Sequence, residues 1–122
     1  MIEVKLETDA RGQLVGFEVT GHAGYARAGR DIVCAAVSAL TQGAVAGLKH
    51  FYPDQVQASQ RKGKLKCHLI PRPSEADHLD YREGQAILTA MHLGLKAIAE
   101  QYPKHLRISS HVDQVERGSP YG

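Results

Sequence analysis

The sequence is poor in cysteine, net charge and long apolar runs, features that are typical of disulfide-rich, nucleic-acid-binding and membrane proteins. It contains no tryptophan and only two cysteines, Cys34 and Cys67, which we take as separate free thiols because a cytosolic chain usually keeps its thiols reduced. The formal net charge of +2 is too small to indicate nucleic acid or an anionic membrane as a partner. No apolar run approaches the roughly 18 residues that a bilayer-spanning helix needs. These absences predict a cytoplasmic globular protein.

Apolar residues are abundant and periodic. They make up 43% of 122 residues, enough for one domain with a single core. We assign that domain to residues 1–113 and a loose tail to 114–122, where no pattern continues. Two-residue alternation predicts strands at 2–7, 15–19, 55–59, 65–70 and 106–112. Helical periodicity predicts helices near 32–50 and 79–102.

The order of these elements, ββαββαβ, indicates how they pack. Two apolar helix stripes need a common surface, and a mixed β-sheet provides one. We therefore predict an α/β fold of the α+β type, in which one mixed sheet is covered by two main helices.

A cysteine and a histidine lie at the two ends of a glycine-rich loop. Asp31 is a good N-cap, so Cys34 takes the third helical position, beside unpaired N–H groups and the positive end of the helix dipole. That placement favours a thiolate. His22 ends the second strand and could accept the thiol proton. We expect the first-turn N–H groups to bind an oxyanion, and Ser38 lies on the same helical face as Cys34.

The run from Gly21 to Leu40 closely resembles the ribosomal-processing cysteine proteases of the Prp family. That resemblance implies removal of a short N-terminal extension from a large-subunit ribosomal protein precursor, by a protein that forms a homodimer. It implies His22 as the catalytic histidine and Cys34 as the nucleophile, with Asp31 and Ser38 at supporting positions. It also implies a flap over the substrate, to which we assign Gly21, Gly24, Tyr25 and Gly29.

The flap is expected to be poorly anchored to the rest of the protein. Tyr25 is its only large side chain, so the loop has few apolar groups with which to anchor itself. We expect the segment to be disordered or displaced without substrate, with His22 and Cys34 beyond hydrogen-bonding distance.

Two other functions fit parts of the sequence. A redox sensor built on Cys34 would need the thiol but not His22, and a small RNA- or ribosome-binding module would use the basic run 61–66. We expect no cofactor, no membrane and no direct nucleic-acid partner. We also expect no metal, because the histidines are scattered and no CxxC motif is present; they are His22, His50, His68, His78, His92, His105 and His111.

Overall fold

Five strands and two helices follow one another in the order ββαββαβ, within the residues that the computed structural model describes: 1–27, 30–70 and 81–112. The predicted order and α+β class are confirmed. The predicted loose tail, 114–122, lies outside the described residues. The elements are β1 (Ile2–Thr8), β2 (Leu14–Thr20), α1 (Ile32–Phe51), β3 (Val56–Arg61), β4 (Lys64–Leu69), α2 (Arg82–Gln101) and β5 (Leu106–Val112).

The strands form one mixed sheet in the order β3-β4-β2-β1-β5. β1 pairs antiparallel with β2 and parallel with β5, while β4 pairs antiparallel with both β2 and β3. The parallel pair arises because α2 carries the chain from β4 to the far edge of the sheet. The end of β2 therefore lies beside the turn of the β3–β4 hairpin, where the Gly21 N–H donates to the Gly63 carbonyl at 3.1 Å.

Alternation along the strands places their apolar residues on one sheet face, which the helices cover. The Gln85 side chain ties α2 to β2 through two hydrogen bonds with the Leu14 backbone, at 2.7 and 2.6 Å. This single core positions the start of α1 against the end of β2. Its fully buried large side chains are Phe17, Leu6, Leu48, Leu69, Leu88, Leu95, Leu106, Val4, Val33, Thr41 and Cys67.

The helix α2 begins at Arg82, and Tyr81 is its N-cap residue with a non-helical ψ of 42°. The predicted start near Leu79 lies outside the described residues. Tyr81 is buried and packs edge-on against Tyr52, with ring centroids 5.8 Å apart. The aromatic residue before the helix thus joins the core, a tertiary contact that helical periodicity cannot indicate.

The bounds of α1 are within one residue of those predicted, but the helix is more apolar than was expected of any segment from the sequence. One window of this helix has a mean hydropathy of 1.5, sufficient by length and composition to cross a membrane. The core helix of a soluble protein can have the same length and composition. Here one apolar stripe, including Val33, Val37 and Leu48, is buried in the core, and 33% of the window is buried.

Candidate active site

Asp31 is the N-cap of α1, as predicted. Its Oδ1 atom accepts the backbone N–H groups of Val33 and Cys34, both at 3.0 Å. Two of the N–H groups that a helix start leaves without partners are thereby satisfied. The helix begins at Ile32, so Cys34 occupies the third helical position and its thiol lies in the first turn.

The second carboxylate oxygen of Asp31 holds the loop that follows β2. Oδ2 accepts the N–H groups of Tyr25 at 3.1 Å and Ala26 at 3.4 Å. The Cys34 N–H is the main reason why the pKa of Asp31 lies below its usual value. Desolvation opposes this lowering of the pKa, while the Ala26 and Tyr25 N–H groups and, last, the Cys34 side chain add to it. The carboxylate therefore stays ionised and serves two segments at once.

The thiol of Cys34 is partly exposed and lies against the end of β2. The Ala23 N–H donates to Cys34 Sγ at 3.4 Å, a contact between residues on opposite ends of the loop. An N–H group in this position stabilises negative charge on sulfur. Within the described ranges, no hydrogen bond joins the His22 ring to this sulfur.

His22 and Cys34 line the same open cleft, which has a volume of about 230 Å³. One wall is the first half of α1, including Val37 and Ser38; the opposite wall is the β3–β4 hairpin. His22 is exposed at the cleft edge, two residues after the end of β2. The structure thus brings together three of the predicted site residues, His22, Cys34 and Ser38, around one space.

The glycines of the predicted flap have different surroundings. Gly21 also lines the cleft and has a φ of +90°; a Cβ there would lie 2.4 Å from the Met1 carbonyl oxygen. Gly24 has a φ of +69°, with open space around it. Gly29 lies outside the described residues. Glycine is therefore required at residue 21 by both conformation and space, and at residue 24 by conformation alone.

The expectation that Tyr25 cannot anchor the loop is wrong for the described part of it. The Tyr25 ring meets the rings of Tyr102 and His105 edge-on, each at a centroid distance of 5.4 Å. Its N–H is also bonded to Asp31. The anchoring partners lie just after α2, so the sequence near the loop contains no sign of them.

The expectation for the oxyanion site also needs correction. The N–H groups of Val33 and Cys34 already donate to Asp31, and an oxyanion could take them only by displacing the cap. The N–H that contacts the sulfur belongs to Ala23, in the loop. The N-cap that sets up the helix thus removes two of the donors that the helix start was expected to offer.

Two elements of the site were missed from the sequence. His105 Nδ1 lies 2.8 Å from the Ala23 carbonyl oxygen; since a carbonyl only accepts, Nδ1 is the donor. The β3–β4 hairpin adds Arg61 and Lys64 to the cleft lining. Lys64 pairs with Glu18 at 2.9 Å, and this hydrogen bond is the main reason why the pKa of Glu18 is lowered.

Cys67 is placed very differently from Cys34. It lies in β4 with its side chain fully buried in the core. Burial raises its pKa to about 11, against a smaller opposite effect of Lys49. A neutral, inaccessible thiol is a poor nucleophile, so only Cys34 has the setting of a reactive cysteine. In the described part of the chain, no three His, Cys, Asp or Glu side chains are grouped to hold a metal.

A partly exposed thiol in the first turn of a helix, sharing a cleft with a histidine, is the arrangement of a thiol-dependent hydrolase. The Prp cysteine protease family profile matches residues 1–107. The chain belongs to this family of ribosomal-processing cysteine proteases. It is therefore a cysteine protease, and the predicted resemblance is confirmed.

Curated relatives span most of the chain. The ribosomal processing cysteine protease Prp of Mycoplasma genitalium is 36% identical over 92 residues, covering 73% of this chain and 81% of the relative. The protein of the same name from Bacillus subtilis is 28% identical over 115 residues, covering 92% and 99%.

A solved structure extends the similarity to the fold. The Prp protease of S. aureus, in complex with a covalently linked product peptide, superposes with a TM-score of 0.78 at 25% identity. The match covers 91% of this chain and all of that one. Most of this chain therefore has the same fold as a protease that has been seen bound to a peptide.

Proposed function

We propose that this protease removes a short N-terminal extension from a large-subunit ribosomal protein precursor, with Cys34 as nucleophile and His22 as general base and acid. The observation that carries the proposal is the shared cleft, which has both side chains in its lining. The relatives that support the substrate class are ribosomal processing proteases by name.

The reaction needs a nucleophile and a proton carrier, which Cys34 and His22 would supply, and one water molecule. His22 takes the thiol proton, and the Cys34 thiolate attacks the carbonyl carbon of the scissile peptide bond. The tetrahedral intermediate collapses by breaking the C–N bond as His22 returns the proton to the leaving amine, which leaves the acyl group as a thioester on Cys34. Water then hydrolyses the thioester with His22 again as base, which releases the second product and regenerates the thiol. Substrate binding would bring imidazole and sulfur into contact, since catalytic hydrogen bonds often tighten only in the complex.

The cleft is suited to an extended peptide with apolar side chains. Val19, Val37 and Leu65 provide apolar surface, while Ser38 and Gln60 provide polar groups for a peptide backbone. We expect an extension rich in apolar and aromatic residues, cut where it joins the mature protein. Ser38 would then contact substrate from the α1 wall.

The test is cleavage of a synthetic peptide that spans the junction in the host ribosomal protein, with a scrambled peptide as control. Cys34→Ala should abolish turnover, and His22→Ala should lower kcat/KM by roughly 100-fold or more. Cys67→Ala is the matched cysteine control and should keep wild-type turnover once corrected for folded protein. Equal losses from both cysteine variants would contradict a single nucleophile.

A thiol redox sensor gives a different result. Its Cys34 would still oxidise to a sulfenic acid after His22→Ala, and no peptide would be cleaved by the wild type. Reaction with dimedone after mild peroxide treatment measures that oxidation. Unimpaired oxidation without cleavage would overturn the protease assignment of these two residues.

We further propose that the protease acts in the cytoplasm, as the composition of the sequence suggests, and that it forms a homodimer, as the family resemblance implies. Light scattering coupled to gel filtration measures the mass in solution. A mass of one chain at micromolar concentration would contradict the dimer.

A further inference from the structure

We propose that His105 is a positioning residue for proteolysis: its Nδ1–H holds the Ala23 carbonyl so that the Ala23 N–H is directed at Cys34 Sγ. The inference deepens the proposed function and rests on Cys34 as nucleophile. His105 lies 82 residues beyond Ala23 along the chain, just before β5.

Ala23 is held at both of its polar backbone groups. Its N–H donates to Cys34 Sγ at 3.4 Å, and its carbonyl oxygen lies 2.8 Å from His105 Nδ1. The side chain is buried, so the residue has no freedom to turn toward solvent. A shift of the Ala23 carbonyl oxygen should therefore also move the Ala23 N–H relative to Cys34 Sγ, because both groups belong to one rigidly held residue.

The backbone of His105 is itself fixed. Its N–H donates to the Tyr102 carbonyl and its carbonyl accepts the Ile2 N–H, both at 2.9 Å. The ring also packs edge-on against Tyr25. His105 thus connects the first strand, the end of α2 and the loop after His22, and it presents Nδ1 in a defined direction.

This arrangement has a chemical consequence at the sulfur. A backbone N–H held at the thiolate stabilises its negative charge without reorganisation when the thiol ionises. Because the N–H of Ala23 is also part of the peptide bond to His22, the same contact sets where the imidazole enters the cleft. Loss of the His105 hydrogen bond should therefore slow the chemical step more than it weakens peptide binding.

The test compares His105→Asn with His105→Gln. An asparagine amide nitrogen can take the place of Nδ1, whereas the longer glutamine amide reaches toward the place of Nε2. In the Asn variant we expect kcat within about twofold of wild type, and in the Gln variant a fall of roughly tenfold with KM nearly unchanged. His50→Asn, on an exposed residue at the end of α1, is the control.

A second measurement separates this proposal from the choice of substrate. Iodoacetamide alkylates Cys34 when the sulfur displaces iodide, and the rate at pH 7 reports on the sulfur without any peptide. In a Cys67→Ala background, the Gln variant should react several-fold more slowly than the Asn variant. Mass spectrometry confirms the site of alkylation.

The outcomes are distinct. Equal kcat values and equal alkylation rates for the Asn and Gln variants, both folded by circular dichroism, would overturn the role of His105. A lower melting temperature with unchanged kcat and alkylation would also overturn it, because His105 would then be only structural. If no peptide is cleaved but alkylation differs as expected, the proposed substrate fails and the positioning role stands.

Discussion

The backbone N–H of Tyr25 donates to Oδ2 of Asp31 at 3.1 Å, and so the residue that caps the helix carrying Cys34 also holds the loop after His22. The other oxygen of the same carboxylate accepts the Cys34 N–H. The geometry of the thiol and that of the loop are thus set by one side chain. Substitutions at Asp31 can separate these two roles.

Asp31→Asn should retain the N-cap hydrogen bonds and lose the hydrogen bonds that hold the loop. An asparagine oxygen caps a helix as well as an aspartate, but its amide nitrogen cannot accept from Tyr25 and Ala26. We expect a melting temperature close to wild type and kcat roughly tenfold lower. Asp31→Ala should lose both functions and melt about 5 °C lower. Thermal unfolding and peptide cleavage measure the two effects. Wild-type turnover in the folded Asn variant would mean that Asp31 acts only as an N-cap.

Cys67 should make the folded protein less stable at alkaline pH. Burial raises its pKa from 9.0 to about 11. Because the unfolded chain releases this proton near pH 9 and the folded protein retains it until about pH 11, the free energy of unfolding should fall as the pH rises across that interval. Urea unfolding at pH 8 to 11 measures this, with Cys67→Ala as the control that lacks the group. Parallel pH profiles for the two proteins would contradict the prediction.

The ring of Tyr25 should control how tightly the loop is held. Tyr25→Phe keeps the edge-on contacts with Tyr102 and His105, whereas Tyr25→Ala removes them. Since an aromatic pair contributes about 0.5–1.5 kcal/mol, trypsin should cut after Arg27 roughly 3- to 10-fold faster in the Ala variant. Mass spectrometry of the digest locates the cut. A Phe variant that is cut as fast as the Ala variant would show that the hydroxyl, not the ring, is the anchor.

Gly21 and Gly24 form a matched pair with positive φ angles. Gly24→Ala should cost only about 1 kcal/mol, since the Cβ meets open space and the strain is confined to the backbone. Gly21→Ala would in addition bring a Cβ to 2.4 Å from the Met1 carbonyl oxygen, so we expect a loss of roughly 2–4 kcal/mol. Urea unfolding distinguishes them. An equal loss of unfolding free energy in the two variants would mean that the start of β1 can move away from the new Cβ at little cost in free energy.

Much of the site could be predicted because its signals are local. A cap such as Asp31 acts on N–H groups two and three residues ahead, and the stripe of α1 repeats every three or four residues. The register of the first turn, and with it the place of Cys34, follows from these short-range rules. The same rules distinguish Cys34 from Cys67, which lies in a strand that alternates toward the core.

The sequence by itself determined the order of the elements, the capped turn that carries Cys34, and the strand end that carries His22. Only the tertiary structure decided what surrounds them: the β3–β4 hairpin across the cleft, Tyr102 and His105 beneath Tyr25, and the Ala23 N–H at the sulfur. These partners meet through sheet order and helix packing, which bring together residues far apart in the chain, such as Ala23 and His105, 82 positions apart. Periodicity and capping operate over a few residues, so no pattern near the loop could indicate which distant side chain would hold it.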